Sequence, residues 1–267
     1  MRRFLAQCYI WLLLIVLYAP IVFIAVFSFT ESKVLGNWTG FSTKLYSNLF
    51  TGDMQGTGSL ISAIQNTLII ALVAAVVSTL LGTIAAIGIH NMKGRGKQAI
   101  TFLNNIPMLN PDIITGVSLF LLFVFLHVSQ GYTTVILAHI TFCTPYVVPS
   151  VLPKLTQMNQ NIYEAALDLG ATPFQALRKV LLPLLKPGMI SGFILAFTMS
   201  LDDFAVTFFT RGTIGLDTLS TYIYTDARKG GLTPELRPMI TIMFLGILAL
   251  LIIINLRKAR AANNAAK

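Results

Sequence analysis

Six runs of mostly apolar residues, at about 8–29, 67–89, 100–126, 133–152, 188–209 and 238–256, are separated by polar breaks rich in Gly, Pro, Asn and charged residues. Each run is close to the roughly 20 residues that a helix needs to cross a hydrocarbon core about 30 Å thick. Backbone in lipid must satisfy its own hydrogen bonds, which favours helix. The pattern therefore predicts an all-α polytopic membrane protein with six transmembrane helices. The first run exceeds the apolar core of a secretory signal, and no small-x-small cleavage site follows it, so it is expected to be an uncleaved span.

Irregularities inside the runs carry further information. Pro20 is expected to kink the first. Ser78, Gly82 and Ala86 recur every four residues in the second, a small-residue stripe suited to close helix packing. Asn104, Asn105, Pro107, Asn110, Pro111 and Asp112 crowd the first half of the third, whereas 114–126 is almost wholly apolar. At about 1.5 Å per residue Asp112 falls near mid-bilayer, where polar or non-helical backbone is tolerated only against protein or a water-filled cavity. The fourth run holds Pro145 and Pro149. No internal repeat is visible in the sequence, which argues against carriers built from inverted repeats.

Composition agrees: 55% of the 267 residues are hydrophobic and 11% charged, with a mean hydropathy of +0.75, against roughly 25% charged residues in soluble domains. The net charge of +9 would suit nucleic acid, but the placement of the basic residues points elsewhere. Arg2, Arg3, Lys93, Arg95, Lys97, Lys154, Arg178, Lys179, Lys186, Arg257, Lys258, Arg260 and Lys267 fall on one side of the predicted spans. Lys33, Lys44, Arg211, Arg228, Lys229 and Arg237 fall on the other. Loop Lys and Arg accumulate inside, so both termini and the segment 153–187 are expected in the cytoplasm, and no nucleic-acid partner is called for. Cys8 and Cys143 lie inside apolar runs and imply no disulfide framework. His90, His127 and His139 lack metal-ligand spacing, so no metal or cofactor is expected on this chain.

The segment 153–187 predicts two short helices and a hinge. Asn161, three residues before Glu164, reads as an N-cap with a carboxylate in the first turn. Gly170 suits the left-handed residue that ends such a helix. Thr172-Pro173 reads as the N-cap and first position of the next, which Pro183 and Pro187 are expected to limit. The order Glu164-Ala165-Ala166, Gly170, then Val180-Leu181-Leu182-Pro183 resembles the coupling motif of binding-protein-dependent ABC importer permeases, with Val180 where isoleucine is commoner. The resemblance implies a knob that docks on a cytoplasmic ATPase, with Glu164, Ala165, Ala166, Asp168, Gly170, Leu182 and Pro183 as its coupling residues.

Ser200-Leu201-Asp202-Asp203-Phe204 lies inside the fifth run, about 20 Å along a helix from its cytoplasmic start. Ionisable residues in a span cost on the order of 2.5–3.5 kcal/mol each on insertion scales and usually face a cavity or partner. Asp202, Asp203, Phe204, Phe208 and Asp112 are the candidate substrate-path residues. Three structural roles compete. Ser200 and Asp203 could cap a restarting helix, either acid could pair with a basic residue of another subunit, and Asp112 could cap the helix resumed after Pro111.

With Pro20, Asn66-Thr67, the motif segment and Thr233-Pro234-Glu235, this run makes most of the chain resemble the C-type permease of spermidine/putrescine ABC importers, with a departure at Arg237-Pro238. That resemblance implies a MetI-like ABC importer permease fold, a single permease domain over 1–267 with a coupling loop at 153–187, and a bacterial inner (plasma) membrane location. It also implies a second, B-type permease subunit, an ATPase dimer that holds ATP and Mg, an external solute-binding protein and a polyamine cargo. The external loops set six basic residues against Glu31, Asp53, Asp217, Asp226 and Glu235, with no acidic funnel, so affinity is expected to reside in the binding protein.

Alternatives within transport are import of another small solute (an organic amine, phosphonate or iron chelate) and a proton-coupled carrier, which has no need of a docking knob. An intramembrane aspartyl protease needs two carboxylates converging from separate elements, whereas neighbours on one helix diverge. Sequence motifs of metalloproteases, serine hydrolases and P-loops are missing.

Overall fold

A computed structural model describes residues 2–32, 34–51, 57–159, 161–213, 216–229, 233, 234, 236–246, 248, 249 and 252. Among these every regular element is helical. The chain divides into two compact units, Met1–Thr57 with Ile223–Lys267, and Gly58–Tyr222. Among the described residues four helices are long and apolar enough to cross a membrane: Gln7–Phe27, Ser59–Asn91, Tyr132–Gln157 and Pro173–Asp202. A bent pair makes a fifth if it counts as one span, and Leu236–Gly246 is a shorter apolar helix. The rest of the last predicted run lies largely outside the described residues, as do Lys33, Asp53, Glu235, Arg257, Lys258, Arg260 and Lys267.

In the first unit, α1 (Arg2–Phe27) runs through Pro20 and leaves most of its side chains exposed, as a lipid-facing helix would. The segment after it folds on itself. Phe29 stacks between Phe41 and Tyr46 at ring separations of 5.5 and 5.0 Å, and the Ser28 hydroxyl lies 2.7 Å from Tyr46 Oη at the start of α2 (Lys44–Thr51). Ser42 donates to Glu31 at 2.6 Å; that hydrogen bond, with Lys44 at 3.4 Å, holds the Glu31 carboxyl below the usual carboxylate range. Arg237, counted above among external charges, is fully buried and donates to the Ser32 carbonyl at 2.9 Å.

The second unit holds α3 (Thr57–Asn91), which begins ten residues before the predicted second span. The predicted third span is not one helix. It is α4 (Gly94–Leu109) and α5 (Asp112–Phe125), crossing at 105°. The cause is local: Asn110 precedes a proline, which disfavours helical ψ, and it sits at ψ 133°. α6 (Tyr132–Gln157) nevertheless continues through Pro145, Pro149 and Pro153. Pro149 has no N–H for the Pro145 carbonyl, and the Asn104 amide of α4 takes that acceptor instead at 3.1 Å.

Next come α7 (Asn161–Asp168), α8 (Pro173–Ala176), a π turn at Leu177–Leu181 and α9 (Leu182–Asp202). Pro183 does not end the second short helix as expected. The π turn bonds the Leu182 amide to the Leu177 carbonyl and widens the helix ahead of Pro183, so 173–202 runs as one rod. The predicted fifth span breaks at Asp203, which sits at ψ 132°, and resumes as α10 (Ala205–Thr210); α11 (Leu219–Arg228) follows.

α6 is the centre of this unit, packed along α9 and buried at Val147, Val151 and Leu155. Val147 sits between Gly82 of α3 and Gly192 of α9. A Cβ on Gly82 would lie 2.6 Å from Val147 Cβ, and one on Gly192 would lie 2.9 Å from its Cγ1. The small-residue stripe of α3 therefore faces α6, where Ser78 also donates to the Ile140 carbonyl at 3.2 Å. Asn66 and Thr67, in the N-terminal third of α3, tie that helix to the start of α11 and the residues just before it. Asn66 donates to the Asp217 carbonyl (2.9 Å) and accepts from Tyr132 (2.6 Å), and Thr67 accepts from the Leu219 amide (2.8 Å).

Candidate functional site

The two helix breaks of the second unit meet. α5 starts at Asp112 just after the first, α9 stops at Asp202 just before the second, and α10 packs against α5, with Gly116 against the Ala205 carbonyl. Between them lies a cavity of about 660 Å³, lined by Pro111, Asp112, Ile113, Phe142, Met199, Asp202, Asp203, Phe204 and Ala205. Four of the five candidate path residues thus share one chamber. Phe208 is the fifth; it lies one turn on, 5.3 Å from the Phe204 ring, with the Arg211 guanidinium 5.3 Å over its face. Arg211 also pairs with Asp217.

The adjacent acids have different surroundings. Asp202 is exposed to the chamber. The side chain of Asp203 is only 5% exposed. It accepts from the Val206 amide (3.2 Å), the Thr207 amide (2.8 Å) and the Thr207 hydroxyl (2.8 Å), so its carboxylate satisfies first-turn donors of α10 from one residue ahead of the N-cap, Phe204. Behind it stands a residue that sequence reasoning passed over. His139 of α6, fully buried, places Nδ1 2.6 Å from Ser200 Oγ and Nε2 2.9 Å from Thr207 Oγ1 and 3.4 Å from Asp203 Oδ2. Its signal in the sequence is an imidazole isolated in an apolar run, which metal-ligand spacing does not register. Asp112 opens α5, but the Ile114 and Thr115 amides of that first turn donate to the Pro111 carbonyl (2.9 and 3.2 Å) rather than to its carboxylate.

The motif segment forms the helix–hinge–helix expected from its sequence. Gly170 has φ +85°, and its amide bonds the Leu167 carbonyl (2.9 Å) while the Ala171 amide bonds Ala166 (3.0 Å), a Schellman ending. Thr172 and Gln175 form a reciprocal capping box at 3.3 and 3.1 Å. The start differs from expectation: the side-chain oxygen at the head of α7 is that of Asn159, which accepts from the Asn161 amide at 3.0 Å. Glu164, Ala165, Asp168 and Gly170 are exposed, Ala166 is half-buried, and Leu169 is 90% exposed. Farther along, Leu182 is half-buried and Pro183 exposed on α9. Glu164 also edges a cavity of about 710 Å³ that α7 and α8 share with the ends of α3 and α6.

Known proteins give this geometry its context. The chain is 37% identical over 252 residues to the spermidine/putrescine transport system permease protein PotC of Haemophilus influenzae, covering 94% of this chain and 95% of that one. It is 38% identical over 234 residues to the putrescine transport system permease protein PotI of Escherichia coli, covering 85% and 81%. Among solved structures, a chain of a bacterial ABC transporter that imports alginate superposes with a TM-score of 0.68 over 96% of this chain and 95% of that one, at 14% identity. The MetNI methionine ABC transporter gives 0.58 over 76% and 95%, at 20% identity. The profile of one family matches residues 78–258, and the chain belongs to that family, the binding-protein-dependent transport system inner membrane components.

Proposed function

We propose that this chain is the permease subunit of an ATP-driven importer that carries polyamines across a bacterial inner membrane. The observation that carries this reading is the chamber at the paired helix breaks, where Asp112 and Asp202 face a space also walled by Phe142 and Phe204. A polyamine is a set of ammonium groups joined by methylenes. Carboxylates match the first, and aromatic faces match both. The names of the relatives point to the same cargo.

In this reading the chain crosses the membrane six times with both termini inside. It forms half of the path, with a second permease subunit as the other half. The helix–hinge–helix of 161–176 docks on a cytoplasmic ATPase dimer that binds ATP and Mg, with Glu164, Ala165, Ala166, Asp168 and Gly170 at the contact and Leu182 and Pro183 at the root of the knob. Because 173–202 is one rod ending at Asp202, a displacement of the docked end is delivered mechanically to the chamber. ATP binding closes the ATPases and turns the path outward to a loaded external binding protein; hydrolysis resets it. Catalysis of ATP hydrolysis belongs to the partner.

The test is labelled putrescine and spermidine uptake in a strain that lacks the gene and redundant importers, with complementation. Restored energy-dependent uptake supports the cargo. Unrestored uptake, with the chain present in the membrane, refutes it.

A further inference from the structure

His139 belongs neither to the chamber wall nor to the docking knob, yet it is the fully buried group that spans the α9–α10 break. Nδ1 meets Ser200 in the last turn of α9 at 2.6 Å, and Nε2 meets Thr207 in the first turn of α10 at 2.9 Å. The direction of the second bond follows from valence. A threonine hydroxyl has one proton, and Thr207 gives it to Asp203 Oδ2 at 2.8 Å. Its oxygen can therefore only accept from His139, so Nε2 carries a hydrogen. One ring on α6 thus fixes both ends of a discontinuous backbone. Asp202 ends α9 and lines the chamber, together with Met199 of the same last turn and Phe142 of α6. The ring of Phe142, one turn from His139 and 5.3 Å away, forms part of the same wall.

We propose that His139 is a positioning residue: by clamping Ser200 to Thr207 it sets the angle between α9 and α10 and thereby aims the Asp202 carboxylate at the ammonium groups of the cargo. The proposal rests on the polyamine-import reading. A histidine that only fills the core would affect how much importer assembles. A positioning histidine affects what each assembled importer carries, and it acts through Asp202.

The experiment uses the whole importer in vesicles with saturating loaded binding protein, scoring putrescine uptake and ATP hydrolysis per assembled complex. His139→Gln and Thr207→Val, the second of equal shape without the hydroxyl, are expected to lower uptake about tenfold, since small misplacements of an aligned group have effects of this order or larger. ATP hydrolysis stays near the wild-type rate, and Thr207→Ser, which keeps the hydroxyl, transports normally. Adding His139→Gln to Asp202→Asn lowers uptake no further. Losses that multiply in the double variant, normal uptake by Thr207→Val, or a loss that merely tracks assembly overturn the proposal. A wild-type complex that moves neither putrescine nor spermidine refutes the cargo reading instead. The clamp is then judged by amide hydrogen exchange across 200–210, which His139→Gln and Thr207→Val must accelerate and Thr207→Ser must not; unchanged exchange overturns it.

Discussion

The Asp203 carboxylate accepts the Thr207 amide and the Thr207 hydroxyl, each at 2.8 Å, through the same oxygen, Oδ2. Two donors at one oxygen, with the Val206 amide on the other, leave no room for an amide nitrogen. Asp203→Asn therefore sets an NH₂ group against N–H donors whichever way the amide is turned. It is expected to reduce the thermal stability of the purified importer, by about 1–3 kcal/mol for the unsatisfied buried groups. Asp202→Asn, which touches an open chamber, is expected to leave stability unchanged and to reduce polyamine uptake. Comparing melting in detergent with uptake in vesicles separates the two; equal melting of both variants would contradict the role of Asp203 in satisfying the first turn of α10.

Val147 gives a second prediction. It fills the gap between α3 and α9 because Gly82 and Gly192 present no Cβ to it. Gly192→Leu forces side chain into side chain and is expected to cost about 1–3 kcal/mol by overpacking. Val147→Ala combined with Gly192→Ala is expected to melt closer to wild type than the sum of the two single changes predicts. Additive losses would show that Val147 and Gly192 do not share one contact.

These cases show what was legible in the sequence. The small-residue stripe, the Gly170 hinge and the Thr172-Pro173 start are local rules, each set by a residue and its near neighbours, and each is seen in the fold. The helix breaks were less legible. Asn110-Pro111 carried a local signal for a break, but no local rule gives its angle of 105°. The break at Asp203 was legible only as one of three competing roles, Ser200 and Asp203 capping a restarting helix; Asp203 does accept from Val206 and Thr207 there, whereas Ser200 meets His139 instead. His139 was illegible: its partners lie 61 and 68 residues away, and no spacing rule joins them. Pro183 misled in the opposite direction, because a π turn absorbs it without ending the helix.

At Gly170 the expected effects scale with backbone rather than volume. Nothing lies within 4 Å of a Cβ there, and φ is +85°. Gly170→Ala is expected to cost about 1–2 kcal/mol, the usual penalty for a left-handed L-residue, and Gly170→Asn less. Gly170→Pro removes the amide bonded to Leu167 and forbids the φ. It is expected to abolish binding-protein-stimulated ATP hydrolysis while the chain still inserts and pairs, and Glu164→Arg is expected to weaken the same readout. Normal stimulation in both variants would remove the docking role from this segment.

Asn104 and Pro149 make the last case, because one side chain replaces a hydrogen that a proline withholds. The Pro145 carbonyl of α6 would normally receive the amide four residues on; Pro149 has none, and Asn104 Nδ2 arrives from α4 at 3.1 Å. Asn104→Leu strands a carbonyl within the membrane-spanning unit and is expected to cost about 1–3 kcal/mol. Pro149→Ala supplies the missing N–H within α6, so that the carbonyl no longer depends on α4. In that background Asn104→Leu is expected to cost less than half as much. Melting of the four proteins in detergent gives the coupling directly, and an undiminished cost in the Pro149→Ala background would mean that Asn104 stabilises α4 through some contact other than this carbonyl.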